Sequence, residues 1–191
     1  MAHYIKTHTA IFFAVLLLTV PLPWLFAWLF AAIIHEMCHC IAVWICGGRL
    51  EQISVSLQGI EIRSNIENPW QSALCSLAGP IGGVFLLLFA DQFPRIAICA
   101  LIQSLYNILP VYPLDGGHVV RNLLYAVVPS KAAEATCRCL ELLTIIAMYG
   151  CALWLSIFYR LGVLPLFCVI IFLLQTKKIK IPCKWRMHRV Q

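Results

Sequence analysis

Charged residues are scarce in this chain of 191 residues, and it has no polar stretch long enough for a soluble domain. Lysine, arginine, aspartate and glutamate together make up 12% of the sequence, whereas 62% is hydrophobic and the mean hydropathy is +0.88. The sequence also contains no internal repeat and no low-complexity segment. These absences exclude a separate soluble enzyme domain and predict a protein that crosses the membrane several times.

The hydrophobic segments are long enough for about six transmembrane helices, because one crossing needs about 20 apolar residues. We expect these helices at about 10–24, 27–46, 71–90, 96–111, 140–158 and 162–175. Between the second and third, polar and apolar residues alternate on both sides of Gly59, which predicts a small β-hairpin near 50–63. An irregular loop is the alternative there. The predicted fold class is therefore an all-α polytopic membrane protein with one hairpin.

The basic residues are distributed unevenly between the two sides that six spans define. Twelve of the 14 lysines and arginines, including the basic tail at 176–191, fall on the side of the two termini. Only Arg95 and Arg160 fall on the other. Because cytoplasmic segments are rich in lysine and arginine, we expect a multi-pass cell-membrane protein with both termini in the cytoplasm. The basic tail can bind anionic lipid headgroups at the membrane surface. The net charge of +6 therefore requires no nucleic acid partner.

The ten cysteines follow no regular spacing, and most of them lie in apolar segments. A pair such as Cys38-x-Cys40 lacks the two-residue gap that is typical of zinc knuckles. A buried cysteine behaves as a small hydrophobic residue, so we expect these side chains to serve mainly in packing.

The segment from His35 to His39 places two histidines and a glutamate inside an almost entirely apolar run. Ionisable groups at membrane depth are costly and indicate function. On a helix, His35 and His39 project from one face and can bind one metal ion, while Glu36 can accept a proton from a metal-bound water. The alternative is that both histidines are buried core residues and that Glu36 forms an ion pair with a lysine or arginine. However, no lysine or arginine lies between Lys6 and Arg49.

A catalytic zinc site usually has three protein ligands, so a further His, Cys, Asp or Glu is needed at a similar depth. The chain has only two aspartates, Asp91 in a predicted outer loop and Asp115 at the end of a predicted span. Asp115 precedes Gly116 and Gly117, which permit a tight backbone turn. Asp115 is therefore a candidate ligand, although an aspartate at a helix end or turn is equally compatible with this pattern.

The chain resembles the site-2 protease family of intramembrane zinc metalloproteases. The resemblance rests on three motifs in family order: His35-Glu36-x-x-His39, Ala78-Gly79-Pro80, and Asn107 followed by Pro113-Leu114-Asp115-Gly116-Gly117. It covers about 27–120, which would be the catalytic core of a single transmembrane metalloprotease domain spanning 1–191. Within the family, the chain looks closest to the stage IV sporulation proteases of spore-forming bacteria.

The resemblance implies a specific site and activity. His35, His39 and Asp115 would hold one zinc ion per chain, Glu36 would activate water, and Asn107 and Pro113 would position the substrate. The hairpin matches a membrane-associated sheet that pairs with an extended substrate. The expected activity is hydrolysis of a peptide bond in or near a membrane-associated segment of a protein.

The expected partners follow from the same resemblance. They are the lipid bilayer, a membrane-associated protein substrate such as a sporulation sigma-factor precursor, and a regulatory membrane protein. The alternative is a membrane protein that binds metal without catalysis, or an inactive protease-like scaffold.

Overall fold

The structure, a computed structural model, describes residues 20–56, 59–158 and 169–170. Its helices are α1 (Leu22–Ile45), α2 (Pro69–Phe85), α3 (Pro94–Asn107), α4 (Asp115–Val127) and α5 (Ser130–Phe158). A 3₁₀ turn, Leu86–Phe89, extends α2, and two strands, β1 (Leu50–Ser56) and β2 (Gly59–Ser64), lie between α1 and α2. By its internal contacts the chain divides into two compact units, 1–138 and 139–191. The first unit contains α1 to α4 and both strands.

Proline residues set the beginnings of three helices. Pro23 is at the second position of α1, and Pro69 and Pro94 open α2 and α3. Proline suits these positions because the first backbone N–H groups of a helix have no partner within the helix. Asn68 caps α2, since its side chain accepts a hydrogen bond from the Trp70 backbone N–H at 3.0 Å. The helix then continues through Pro80 to Phe85.

Three of the described helices are long and apolar enough to cross a membrane: Leu22–Ile45, Pro69–Phe89 and Ser130–Phe158. The structure does not confirm a complete fourth span at 96–111, because α3 has 14 residues and is only about 21 Å long. A bilayer core is about 30 Å thick. Three predicted segments lie wholly or mostly outside the described residues: the span at 162–175 except residues 169–170, the first ten residues of the span at 10–24, and the tail at 176–191.

The helix that contains the predicted span at 140–158 is longer than that span. Helix α5 begins at Ser130, ten residues earlier. Hydropathy misses this part because it is charged, yet Glu134 and Arg138 form an ion pair one helical turn apart. Such i, i+4 pairs support a helix.

The two strands pair antiparallel over the range where the alternating pattern predicts a hairpin. Ser54 lies opposite Glu61 and Ser56 opposite Gly59, with an irregularity between Leu50 and Gln52. Backbone bonding continues beyond the strands, where the Asn65 N–H donates to the Arg49 carbonyl at 3.2 Å. The association of these strands with a membrane stays a prediction.

The first unit is held together by small side chains and a few polar contacts between helices. Ala27 and Ala31 of α1 pack with Cys99 and Ala100 of α3 in one buried cluster. The Gln103 amide donates to the Trp28 carbonyl at 2.9 Å, which links α3 to α1. Such small residues and interhelical hydrogen bonds are typical of helix packing in lipid.

Candidate metal centre

His35, His39 and Asp115 converge although they come from two distant segments. The histidines lie one turn apart on α1, and Asp115 is the first residue of α4. His35 Nε2 is 3.0 Å from Asp115 Oδ2, His39 Nε2 is 3.2 Å from the same oxygen, and the two nitrogens are 3.2 Å apart. Their side chains are 5%, 12% and 21% exposed. The three atoms therefore form a nearly equilateral, largely buried triangle.

The dimensions of this triangle fit a zinc ion. In a tetrahedral site with Zn–N bonds of about 2.0–2.1 Å, neighbouring ligand atoms are about 3.3 Å apart. The observed separations of 3.0–3.2 Å differ from this by a few tenths of an ångström. Two imidazole nitrogens and one carboxylate oxygen are also a donor set that catalytic zinc uses, with a fourth position left for water. These residues could hold the metal that the sequence predicts.

A backbone carbonyl orients His39. His39 Nδ1 is 2.7 Å from the carbonyl oxygen of Cys75 in α2, so Nδ1 carries the proton and donates it to that oxygen. In neutral imidazole this leaves the Nε2 lone pair free and directed at the triangle. A partner of this kind on the second nitrogen is typical of metal-binding histidines. His35 Nδ1, by contrast, is buried and has no hydrogen-bond partner among the described residues.

Gly79 of α2 lies against the metal-facing nitrogens of the two histidines. A Cβ atom at this position would lie 2.6 Å from His35 Nε2 and would overlap the ring of His39. Real Cβ atoms essentially never approach other heavy atoms so closely. The absence of a side chain at position 79 thus lets α2 close over the metal-facing edge of both rings.

Gly116 and Gly117 position Asp115 by allowing two backbone segments to touch. A Cβ atom on Gly116 would be 2.6 Å from the Leu109 carbonyl oxygen, and one on Gly117 would be 2.6 Å from that of Val111. The glycines therefore pack the first turn of α4 against the loop at 108–114. The sequence predicts a tight turn here; the structure instead places both glycines inside the helix, where close approach is the reason for them.

The other predicted site residues lie around the triangle. Glu36 follows His35 on α1 and makes no hydrogen bond or ion pair with another described residue. Asn107 ends α3 with its Nδ2 3.4 Å from His35 Nε2. Pro113 is half-buried in the loop at 108–114, two residues before Asp115. Asn107 thus contacts one corner of the triangle directly. Pro113 is near the triangle because it is two residues before Asp115 in the sequence.

Sequence reasoning missed two features of this centre. Any residue has a carbonyl group, so nothing in the sequence marks Cys75 as the partner of His39. The Ala78-Gly79-Pro80 motif is visible in the sequence and suggests close helix approach. Only the structure shows that the group approaching Gly79 is the pair of histidines.

Comparison with known proteins identifies a family for this chain. The family model described as Peptidase M50B-like matches residues 8–128. A candidate zinc metalloprotease of Synechocystis sp. is 28% identical in an alignment of 118 positions that covers 52% of this chain. The chain spans about a third of the length of that relative, 31%.

A structural relative has the same fold over most of both molecules. The site-2 protease from Methanocaldococcus jannaschii superposes with a TM-score of 0.59 at 14% identity, covering 90% of this chain and 87% of that one. Because the family model covers well over half of the sequence, and the His35–Asp115 region lies within it, the chain belongs to the Peptidase M50B-like family.

Proposed function

We propose that this protein is an intramembrane zinc metalloendopeptidase that cleaves a peptide bond in or near a membrane-associated segment of another protein. The observation that supports this most is the triangle of His35, His39 and Asp115, with separations of 3.0–3.2 Å. In this proposal the three side chains bind one zinc ion. Bound zinc supplies a Lewis acid and lowers the pKa of a coordinated water to about 7.

Glu36 is proposed as the general base. It is adjacent to His35 and makes no competing hydrogen bond or ion pair with the described residues. Its carboxylate accepts the proton of the attacking water and then delivers it to the nitrogen of the leaving amine. A glutamate tied to a cation could not perform this transfer as readily.

Asn107 and Pro113 are proposed to hold the substrate chain. The amide of Asn107 lies beside the metal-facing nitrogen of His35, at 3.4 Å, so it can bind a backbone group of a peptide placed at the centre. Pro113 lies in the loop that leads to Asp115 and would line the same cleft. The hairpin of β1 and β2 would offer an edge to which an unwound substrate can add as a strand.

The surroundings of the site extend the proposal. Six spans with both termini in the cytoplasm would place the hairpin and Asp115 on the cytoplasmic side, in agreement with the distribution of lysine and arginine. The proposal also includes a location, a substrate and a partner. These are a bacterial cell membrane, a sporulation sigma-factor precursor and a regulatory membrane protein. These assignments rest on the resemblance to the stage IV sporulation proteases.

The proposal is tested by comparing membrane proteomes of cells that express the wild type, Glu36→Gln or the control Glu67→Gln. Glu67 is exposed in the segment before α2 and lies outside the centre. We expect truncated membrane-associated proteins with the wild type and with Glu67→Gln, and their absence with Glu36→Gln. Truncated products that persist in Glu36→Gln would contradict the role of Glu36. Absence of truncated products in all three, at equal expression, would favour a non-catalytic scaffold.

A further inference from the structure

Two thiols meet where α1 ends. Cys46 follows the last residue of α1, Cys75 lies in α2, and their sulfur atoms are 3.7 Å apart. Both are free thiols in the structure. A disulfide has an S–S length of about 2.05 Å, so the two sulfur atoms need to approach by less than 2 Å to form one.

The two thiols differ in accessibility. Cys46 is half-buried and lines a cavity of about 420 Å³ that opens to the surface and is bordered by polar residues such as Asn65, Glu67 and Asn68. Cys75 is buried, with 7% of its surface exposed. A small polar oxidant can thus reach Cys46 first, while Cys75 stays protected until it attacks its neighbour.

Cys75 also touches the candidate metal centre through its backbone. Its carbonyl oxygen accepts the hydrogen bond from His39 Nδ1 at 2.7 Å. A displacement of Cys75 toward Cys46 would therefore act directly on the group that orients His39. Loss of such a partner typically weakens metal binding by about 10- to 100-fold.

We propose that Cys46 and Cys75 form a redox modification site that takes a hydroperoxide as oxidant and weakens metal binding when oxidised. The Cys46 sulfur attacks a peroxide oxygen, the O–O bond breaks, and Cys46 becomes a sulfenic acid while water or an alcohol leaves. The Cys75 sulfur then attacks the Cys46 sulfur. The S–S bond forms, the S–O bond breaks, and the departing hydroxyl takes the Cys75 proton as water.

The two parts of this proposal depend on different assumptions. Formation of the disulfide depends only on the geometry of the two thiols. Its effect on the metal rests on the proposed function, in which His39 is a zinc ligand. The experiment therefore reads the two parts separately.

The test treats purified, detergent-solubilised, zinc-loaded protein with hydrogen peroxide or with the phosphine reductant TCEP. Mass spectrometry of alkylated digests detects a peptide that links Cys46 to Cys75, and a chelator competition measures zinc affinity. We expect the linked peptide in the oxidised wild type, together with a zinc affinity about tenfold weaker that TCEP restores. Cys46→Ser should form no such link and keep its zinc affinity under peroxide.

Cys151→Ser serves as the matched control, because Cys151 is an exposed thiol in α5. It should respond to peroxide like the wild type. Absence of the linked peptide in the wild type would overturn the modification site, and a link without any change in zinc affinity would overturn its coupling to His39. If the reduced wild type binds no zinc, the proposed function fails, while the linked peptide still decides whether the thiol pair is oxidised.

Discussion

Gly79 lies so close to His39 that a side chain at position 79 would occupy the space of the imidazole ring. The same missing side chain leaves room for His35, whose Nε2 would be 2.6 Å from a Cβ atom on Gly79. Gly79 has no side chain with which to bind a metal. Its lack of a Cβ atom nevertheless determines whether the Nε2 atoms of His35 and His39 can face the same metal ion.

We predict that Gly79→Ala loses most of its zinc. One methyl group must displace at least one imidazole ring, and a displaced ligand is expected to weaken metal binding by about tenfold or more. The measurement is the zinc content of the purified protein, determined by inductively coupled plasma mass spectrometry.

Two glycine variants control for a general effect of alanine. A Cβ atom on Gly82 would meet the sulfur of Cys38 but neither histidine, whereas one on Gly150 would meet nothing within 4 Å. Gly82→Ala should disturb packing and retain zinc, and Gly150→Ala should retain both. A Gly79→Ala protein that folds with a full complement of zinc would show that the rings can move aside, contrary to this account.

Asn107 should affect substrate more than metal. Because it approaches His35 Nε2 at 3.4 Å but is not one of the three converging ligand atoms, Asn107→Ala is expected to retain zinc and lower kcat/KM by about tenfold or more. Cleavage of a substrate identified by the proteome comparison provides the rate, and metal analysis of the same sample provides the zinc content. Loss of zinc in Asn107→Ala would instead make Asn107 part of the metal centre.

The contact between α2 and α4 should contribute a measurable pairwise energy. The amide of Asn122, which is 2% exposed, donates to Ser72 Oγ at 2.9 Å. A double-mutant cycle with Asn122→Ala and Ser72→Ala should give a coupling energy of about 0.5–1.5 kcal/mol. The measurement is the free energy of unfolding in detergent for the wild type, the two single variants and the double variant.

Ser76 offers a control for this cycle. Its hydroxyl donates to the Ser72 carbonyl within α2, at 3.1 Å, and so makes no bond to α4. Ser76→Ala combined with Asn122→Ala should therefore show additive effects. A coupling energy near zero for Asn122 and Ser72 would mean that their hydrogen bond does not stabilise the helix pair.

Local patterns in the sequence predict the parts of the centre that lie within one helix. The i, i+4 spacing of His35 and His39 is sufficient to place them on one face of α1, as the structure has them. Asp115 is 76 residues beyond His39, and no periodicity connects them. Its placement requires the packing of α4 against α2. The residues alone leave Asp115 either a ligand or an aspartate at a helix end or turn, and only the resemblance to a known family favours the ligand.

Hydropathy predicts which segments of the chain lie in apolar helices better than it predicts where those helices begin and end. The predicted start of a span at residue 140 misses the charged first turns of α5, because Glu134 and Arg138 support a helix without being apolar. It also predicts a full span at 96–111, where α3 ends at Asn107 and the chain turns through the loop that leads to Asp115. That early end gives Asn107 and Asp115 access to the centre.

The most direct test of the central claim is the zinc content of purified wild-type, Asp115→Ala and Asp91→Ala protein. The two aspartates are the only ones in the chain, and Asp91 is exposed in the segment between α2 and α3. We predict one zinc ion per chain in the wild type and in Asp91→Ala, and about a tenth of that or less in Asp115→Ala. Equal zinc content in all three proteins, or none in the wild type, would contradict a metal centre built from His35, His39 and Asp115.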